Sequence, residues 1–152
     1  MTKTIMKGAE GVKAHVGQHL GYSDYVTVTQ EMVNTFADAT GDHQWIHIDV
    51  EKAKKGPFGA PIAHGYLTLS LGPSLLPQIY GVEGAVMGVN YGANKIRFPA
   101  PMRTGQRMRA RFSLLAFERL TDCVQTVWQY TAEQEGGDKP VCVAEVVLRQ
   151  YL

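Results

Sequence analysis

The segment from His64 to Tyr80, HGYLTLSLGPSLLPQIY, is apolar on nearly every side, and four strand-like runs follow it. A helix with no polar stripe belongs inside protein rather than on a surface. The runs cover about residues 84–99, 106–118, 122–134 and 140–151, and they are separated by Pro99-Ala100-Pro101, by Glu118 to Thr121 and by Gly136-Gly137-Asp138. Four consecutive strands with short connections make an antiparallel sheet, and one very apolar helix is what such a sheet can wrap around. The expected fold class is therefore α+β. Pro73 predicts a kink or an early end in the central helix, because proline lacks an amide donor and crowds the carbonyl four residues earlier, that of Leu69.

The first half is patterned mainly as helix. After a poorly patterned start, Asp24 to Val28 resembles a short strand, and Thr29 can cap a helix through Ala39 with Val33 and Phe36 on one face. Gly41 ends it, and a second short helix is expected across Val50 to Lys55. With 152 residues and no linker, repeat or low-complexity tract, residues 1–152 form a single domain. No apolar run is long enough to cross a bilayer, and the amino terminus lacks the pattern of a secretory signal, so the expected location is cytoplasmic with no membrane partner. A formal net charge of +1 offers no basic field for nucleic acid. Cys123 and Cys142 lie in strand-like segments without zinc-ligand spacing and are expected to be buried thiols.

The densest polar constellation is Thr40-Gly41-Asp42-His43-Gln44-Trp45-Ile46-His47-Ile48-Asp49, a loop with two carboxylates and two imidazoles around an indole. A carboxylate beside a histidine suits proton transfer, since the carboxylate orients the ring and the pKa values can be moved toward neutrality. On spacing alone, Asp42 capping a turn between solvated loop histidines explains the same residues. His43, His47, Asp49 and His64 match no standard metal-ligand spacing, so no metal is expected.

The loop gains meaning from Pro61-Ile62-Ala63-His64-Gly65, which leads into the apolar helix. Gly-Asp-x-x-x-x-His followed by Pro-Ile-x-His-Gly resembles the MaoC-like hydratases, the (R)-specific enoyl-coenzyme A hydratases, over about residues 20–151. Asn94 to Pro101 and Gly105 continue the likeness. The resemblance implies a hot-dog fold, an antiparallel sheet around a central helix, acting as a homodimer whose sheets join edge to edge. It implies that Asp42 and His47 are the catalytic pair that activates water, and that the Gly65 amide hydrogen-bonds the thioester carbonyl. It also implies that Ser70 supports the pair, although a hydroxyl there occurs only in some members.

The chemistry of these residues is coherent beside the family. Hydration of a trans-2-enoyl thioester needs a base at water, an acid at C2 and a donor for the enolate-like oxygen, and a helix amino terminus supplies the donor. No cofactor is needed, since coenzyme A is part of the substrate. His43 reads as a solvated histidine, and His64 as a group that positions the turn before the helix. Asn94 and Arg97 point to opposite strand faces, so one of them lines the cleft, with Asn94 the candidate substrate contact. Arg107, Arg109 and Arg111 share a face that is either solvated or set against coenzyme A phosphates. Met87, Met102 and Met108 are expected to pack the core or an acyl tunnel. The expected function is hydration of trans-2-enoyl-coenzyme A to the (R)-3-hydroxyacyl thioester. The alternatives are dehydration of a 3-hydroxyacyl chain on acyl carrier protein, thioester hydrolysis, and a non-catalytic acyl-thioester binder.

Overall fold

A computed structural model describes residues 2–152. In chain order the elements are β1 (Thr4–Lys7), α1 (Gly8–Ala14), β2 (His19–Tyr22), β3 (Val26–Thr27), α2 (Gln30–Thr40), α3 (Trp45–Ile48), α4 (Val50–Lys54), α5 (Gly65–Ser70), α6 (Gly72–Ile79), β4 (Tyr80–Glu83), β5 (Met87–Arg97), β6 (Arg107–Arg119), β7 (Cys123–Gln134) and β8 (Cys142–Tyr151). The long strands form one antiparallel sheet in the order β2-β6-β7-β8-β5, with β3 also on β6. This sheet, curved around the central helical segment, is the hot-dog arrangement. Among the described residues, no helix is long and apolar enough to cross a membrane.

Alternation along the strands builds the core. Met108, Ala110, Phe112 and Leu114 of β6 face the same side as Val124, Trp128, Tyr130 and Ala132 of β7, and all are buried. The Tyr130 hydroxyl donates to Thr68 O at 2.6 Å and so ties the sheet to α5. Cys123 and Cys142 are buried and unbridged, as expected, and burial raises the Cys142 thiol to about 11. Met102 and Met108 are in the core, but Met87 is 52% exposed at the start of β5 and packs no tunnel within the chain.

The central helix breaks at Leu71, so α5 and α6 are separate and Pro73 sits at the start of α6, where its missing amide costs least. Its surroundings differ from the expectation. Leu67, Leu75 and Ile79 are buried, but Tyr66, Ser70, Pro73 and Pro77 form an exposed stripe, because the sheet of one chain covers only one side. The first 22 residues, unpatterned in sequence, hold β1, α1 and β2. The short β1 runs parallel to β4, with Thr4 opposite Tyr80, and buries Met6 completely. The three arginines do share a face of β6. Arg107 pairs with Glu135 and Arg109 with Glu133, and both guanidinium groups stack on Tyr25, which marks a solvated, internally neutralised face.

Candidate active site

Local capping brings the histidine loop to the helix. Thr29 caps α2 by accepting from Met32 N–H at 3.1 Å, and Gly41 closes it with φ +81°, a left-handed conformation suited to glycine. The chain then turns back through Asp42 into α3, a helical turn where sequence reading expects only loop. Asp49 caps the next helix, accepting from Lys52 N–H at 3.1 Å. Gln30 of α2 donates to His47 O at 2.7 Å and fixes the backbone of α3 from outside.

The segment before the central helix is pinned on both sides. Ile62 N–H donates to Ile46 O at 3.0 Å, and Ala63 N–H donates to Met102 O at 2.7 Å. Ile62 O thereby faces His47 and accepts from Nδ1 at 2.7 Å. A carbonyl can only accept, so Nδ1 carries the proton and Nε2 of the neutral ring keeps its lone pair. His47 is 6% exposed, and burial lowers its pKa from the usual 6.5 against the raising effect of the Ile62 bond, with nearby His64 adding to the depression. His47 is therefore held neutral at neutral pH.

His64 stands at the start of α5, 3% exposed, and its Nε2–H donates to the main-chain oxygen of Asp42 at 2.9 Å, with the Asp42 carboxylate 4.0 Å away. Its ring stacks on His47, and Phe36 of α2 packs against it with ring centroids 4.8 Å apart. Polar atoms of Asp42, His47 and His64 all lie within 4.8 Å of one another, while the Asp42 side chain remains 54% exposed. A buried lone-pair nitrogen and an open carboxylate thus share one mouth. His43 points away, paired with Asp38 at 2.9 Å, and that bond raises its pKa.

Gly65 is the first residue of α5, and among the described residues its N–H has no partner. Such a group is one of the free donors that every helix start presents. A Cβ on Gly65 would lie 2.8 Å from the half-exposed Phe98 ring, so any larger residue here forces that ring to shift. Ser70 and Asn94 make no hydrogen bond to the cluster. Ser70 is exposed and lines a cavity beside the helix that begins one turn beyond Gly65, and Asn94 is exposed at a bulge in β5. Phe36, Gln30, Phe98 and the Ile62 carbonyl complete the site. Sequence reading gives Phe36 only as an apolar helix face, and a carbonyl carries no signal in residue type.

Comparison with known proteins gives the family. The model of the MaoC like domain matches residues 12–135. The chain is 55% identical over 137 residues to a Mycobacterium tuberculosis protein named 3-hydroxyacyl-thioester dehydratase Z, covering 90% of this chain and 91% of the relative. In fold it is similar to the MaoC-like dehydratase from Rhodospirillum rubrum, with TM-score 0.72, 23% identity and coverage of 90% and 92%. It is also similar to R-hydratase PhaJ1 from Pseudomonas aeruginosa, with TM-score 0.71, 22% identity and coverage of 90% and 81%. The chain belongs to the MaoC-like dehydratase family.

Proposed function

We propose that this protein interconverts trans-2-enoyl and (R)-3-hydroxyacyl thioesters by adding and removing water, with coenzyme A thioesters as substrates. The observation that carries this reading is the convergence of the Asp42 carboxylate and His47 ring on one mouth, next to a helix that begins with the free Gly65 N–H. Asp42 and His47 hold the water and carry the two proton transfers. The Gly65 amide receives the charge that develops on the thioester oxygen between them, and its preformed position needs no reorganisation. His64 fixes the Asp42 main chain and the His47 ring plane at once.

The active unit in this reading is a homodimer. β5 is an eleven-residue edge strand exposed along nearly its whole length, with Val89 and Tyr91 open to solvent, and the stripe of Tyr66, Ser70 and Pro73 is also uncovered. Edge pairing with a second copy satisfies the first and covers the second. The relative's name supports the dehydration direction, which the same groups catalyse by microscopic reversibility.

The test is an assay of the purified protein on crotonyl-coenzyme A and on saturated butyryl-coenzyme A. Loss of enoyl absorbance with formation of the (R) product, and no thiol release, supports the reading. Thiol release from the saturated thioester would make the protein a thioesterase, and binding without turnover of either would make it a non-catalytic binder. Turnover only of the crotonyl group on acyl carrier protein would move the carrier from coenzyme A to that protein.

A further inference from the structure

A cavity of about 730 Å³ runs between the open side of α5 and α6 and the strands β5 and β8. It begins at Leu69 and Ser70 and ends at Tyr80, ten residues further along, a span of about 15 Å for helix. Along most of that length the lining is what an alkyl chain requires, including Leu76, Phe112 and Leu148. The far end differs. There Tyr80, Asn90 and Gln150 line the same space, and no Lys, Arg, His, Asp or Glu does.

The register of the sheet places two of these groups, Asn90 and Gln150, side by side. On β8, Ala144, Val146, Leu148 and Gln150 alternate toward the helix, so Gln150 stands where the pattern otherwise places an apolar residue. Gly88 of β5 is opposite Gln150 and Asn90 is opposite Leu148, which makes Asn90 the diagonal neighbour of Gln150 on that face. A Cβ on Gly88 would meet nothing within 4 Å, so the strand leaves open space beside the amide. Tyr80 closes the end from above, stacked on Trp128 with centroids 4.5 Å apart. Among the described residues, none of the three side chains has a hydrogen-bond partner, and Gln150 Oε1 is buried and unpaired.

A plain alkyl tail would seal these groups away from water with nothing to bond, which is costly. A carboxylate tail would be buried without a cation. A hydroxyl fits, because it can donate to Gln150 Oε1 and accept from the Tyr80 O–H at the same time. Resting on the acyl-thioester reading above, we propose that the cavity selects acyl thioesters bearing a hydroxyl group near the far end of the chain, held by Tyr80 and Gln150.

The experiment compares plain and ω-hydroxy trans-2-enoyl-coenzyme A thioesters of about eight to sixteen carbons on the wild-type enzyme, and on Gln150→Met and Tyr80→Phe. A pocket that hydrogen-bonds a hydroxyl discriminates strongly against the analogue lacking it, so at the best chain length kcat/KM for the ω-hydroxy thioester should exceed that of the plain one at least about tenfold. Each variant should reduce that ratio toward one. A wild-type ratio near one or below overturns the proposal whether or not the variants fold, and a preference that persists in both folded variants overturns the assignment to these residues. Failure to turn over any enoyl thioester, plain ones included, would instead sink the reading of the protein as a hydratase.

Discussion

The rings of His47 and His64 lie face to face, 3.8 Å between centroids and 23° apart in plane. Through Nε2 the same His64 holds the main-chain oxygen of Asp42, so one buried ring sets both members of the proposed pair. It is a positioning residue in this reading, touching the pair rather than the substrate.

His64→Phe keeps the stack and removes the tether on Asp42. We expect kcat to fall about tenfold with KM changed less than about threefold, since small misplacements of catalytic groups cost rate before binding. His64→Gln restores a donor without the ring and should recover part of kcat. A purely structural role would lower the melting temperature while leaving kcat of the folded fraction at the wild-type value.

The pH dependence follows from His47. Its pKa is lowered below 6.5, mainly by burial, so as a base it is active when neutral, and kcat/KM should rise with pH through an acid limb centred below 6.5. The same shift makes the native state bind fewer protons than the unfolded chain as pH falls below 6.5. This contribution therefore destabilises the fold progressively from pH 6.5 down to the lowered folded-state pKa, and adds nothing further below it. An acid limb centred at or above 6.5 would contradict the assignment of His47 as the neutral ring.

Gly65 separates the donor from the space around it. Gly65→Pro deletes the N–H at the first helical position, where proline is tolerated, and loss of such a donor costs about 3–4 kcal/mol in the transition state, or about 10²–10³ in kcat. Gly65→Ala keeps the donor but drives its methyl into Phe98, so it should chiefly reduce stability and raise KM. Circular dichroism and mass must match wild type for the proline result to count. A folded Gly65→Pro enzyme with near wild-type kcat would remove the amide from the mechanism.

For assembly, light scattering at micromolar concentration should give twice the chain mass. Val89→Lys, placing a charge on the exposed edge strand, should shift the protein toward monomer and lower activity with it. A fully active monomer would show that β5 needs no partner.

Much of this fold is legible in the sequence. The four long strands fall within a few residues of their expected bounds because proline, glycine and polar turns separate them and β6 and β7 alternate over much of their length, and Thr29 and Gly41 mark α2 through capping chemistry. Pro73 locates the break beside Leu71, because the first turn of a new helix accommodates its missing amide, whereas Pro77 lies inside α6 without ending it. The misses have physical causes as well. β1 and β2 are four residues each and owe their existence to pairing with β4 and β6, which no local pattern records. The open stripe on the central helix reads as interior in sequence because composition does not say whether the covering protein is the same chain. At the site, a motif marks Asp42, His47 and Gly65 as candidates, whereas the clamp on His47 depends on the Ile62 carbonyl and on Gln30, whose roles arise only when the chain has folded.

The central claim is that Asp42 and His47 carry the proton transfers. Asp42→Asn and His47→Gln nearly preserve shape and remove that capacity, so the decisive measurement is kcat for crotonyl-coenzyme A hydration by each folded variant at saturating substrate. We expect each to fall by about 10²-fold or more, with far-ultraviolet circular dichroism and assembly unchanged. A folded variant of either residue that keeps more than about half of the wild-type kcat would contradict its assignment.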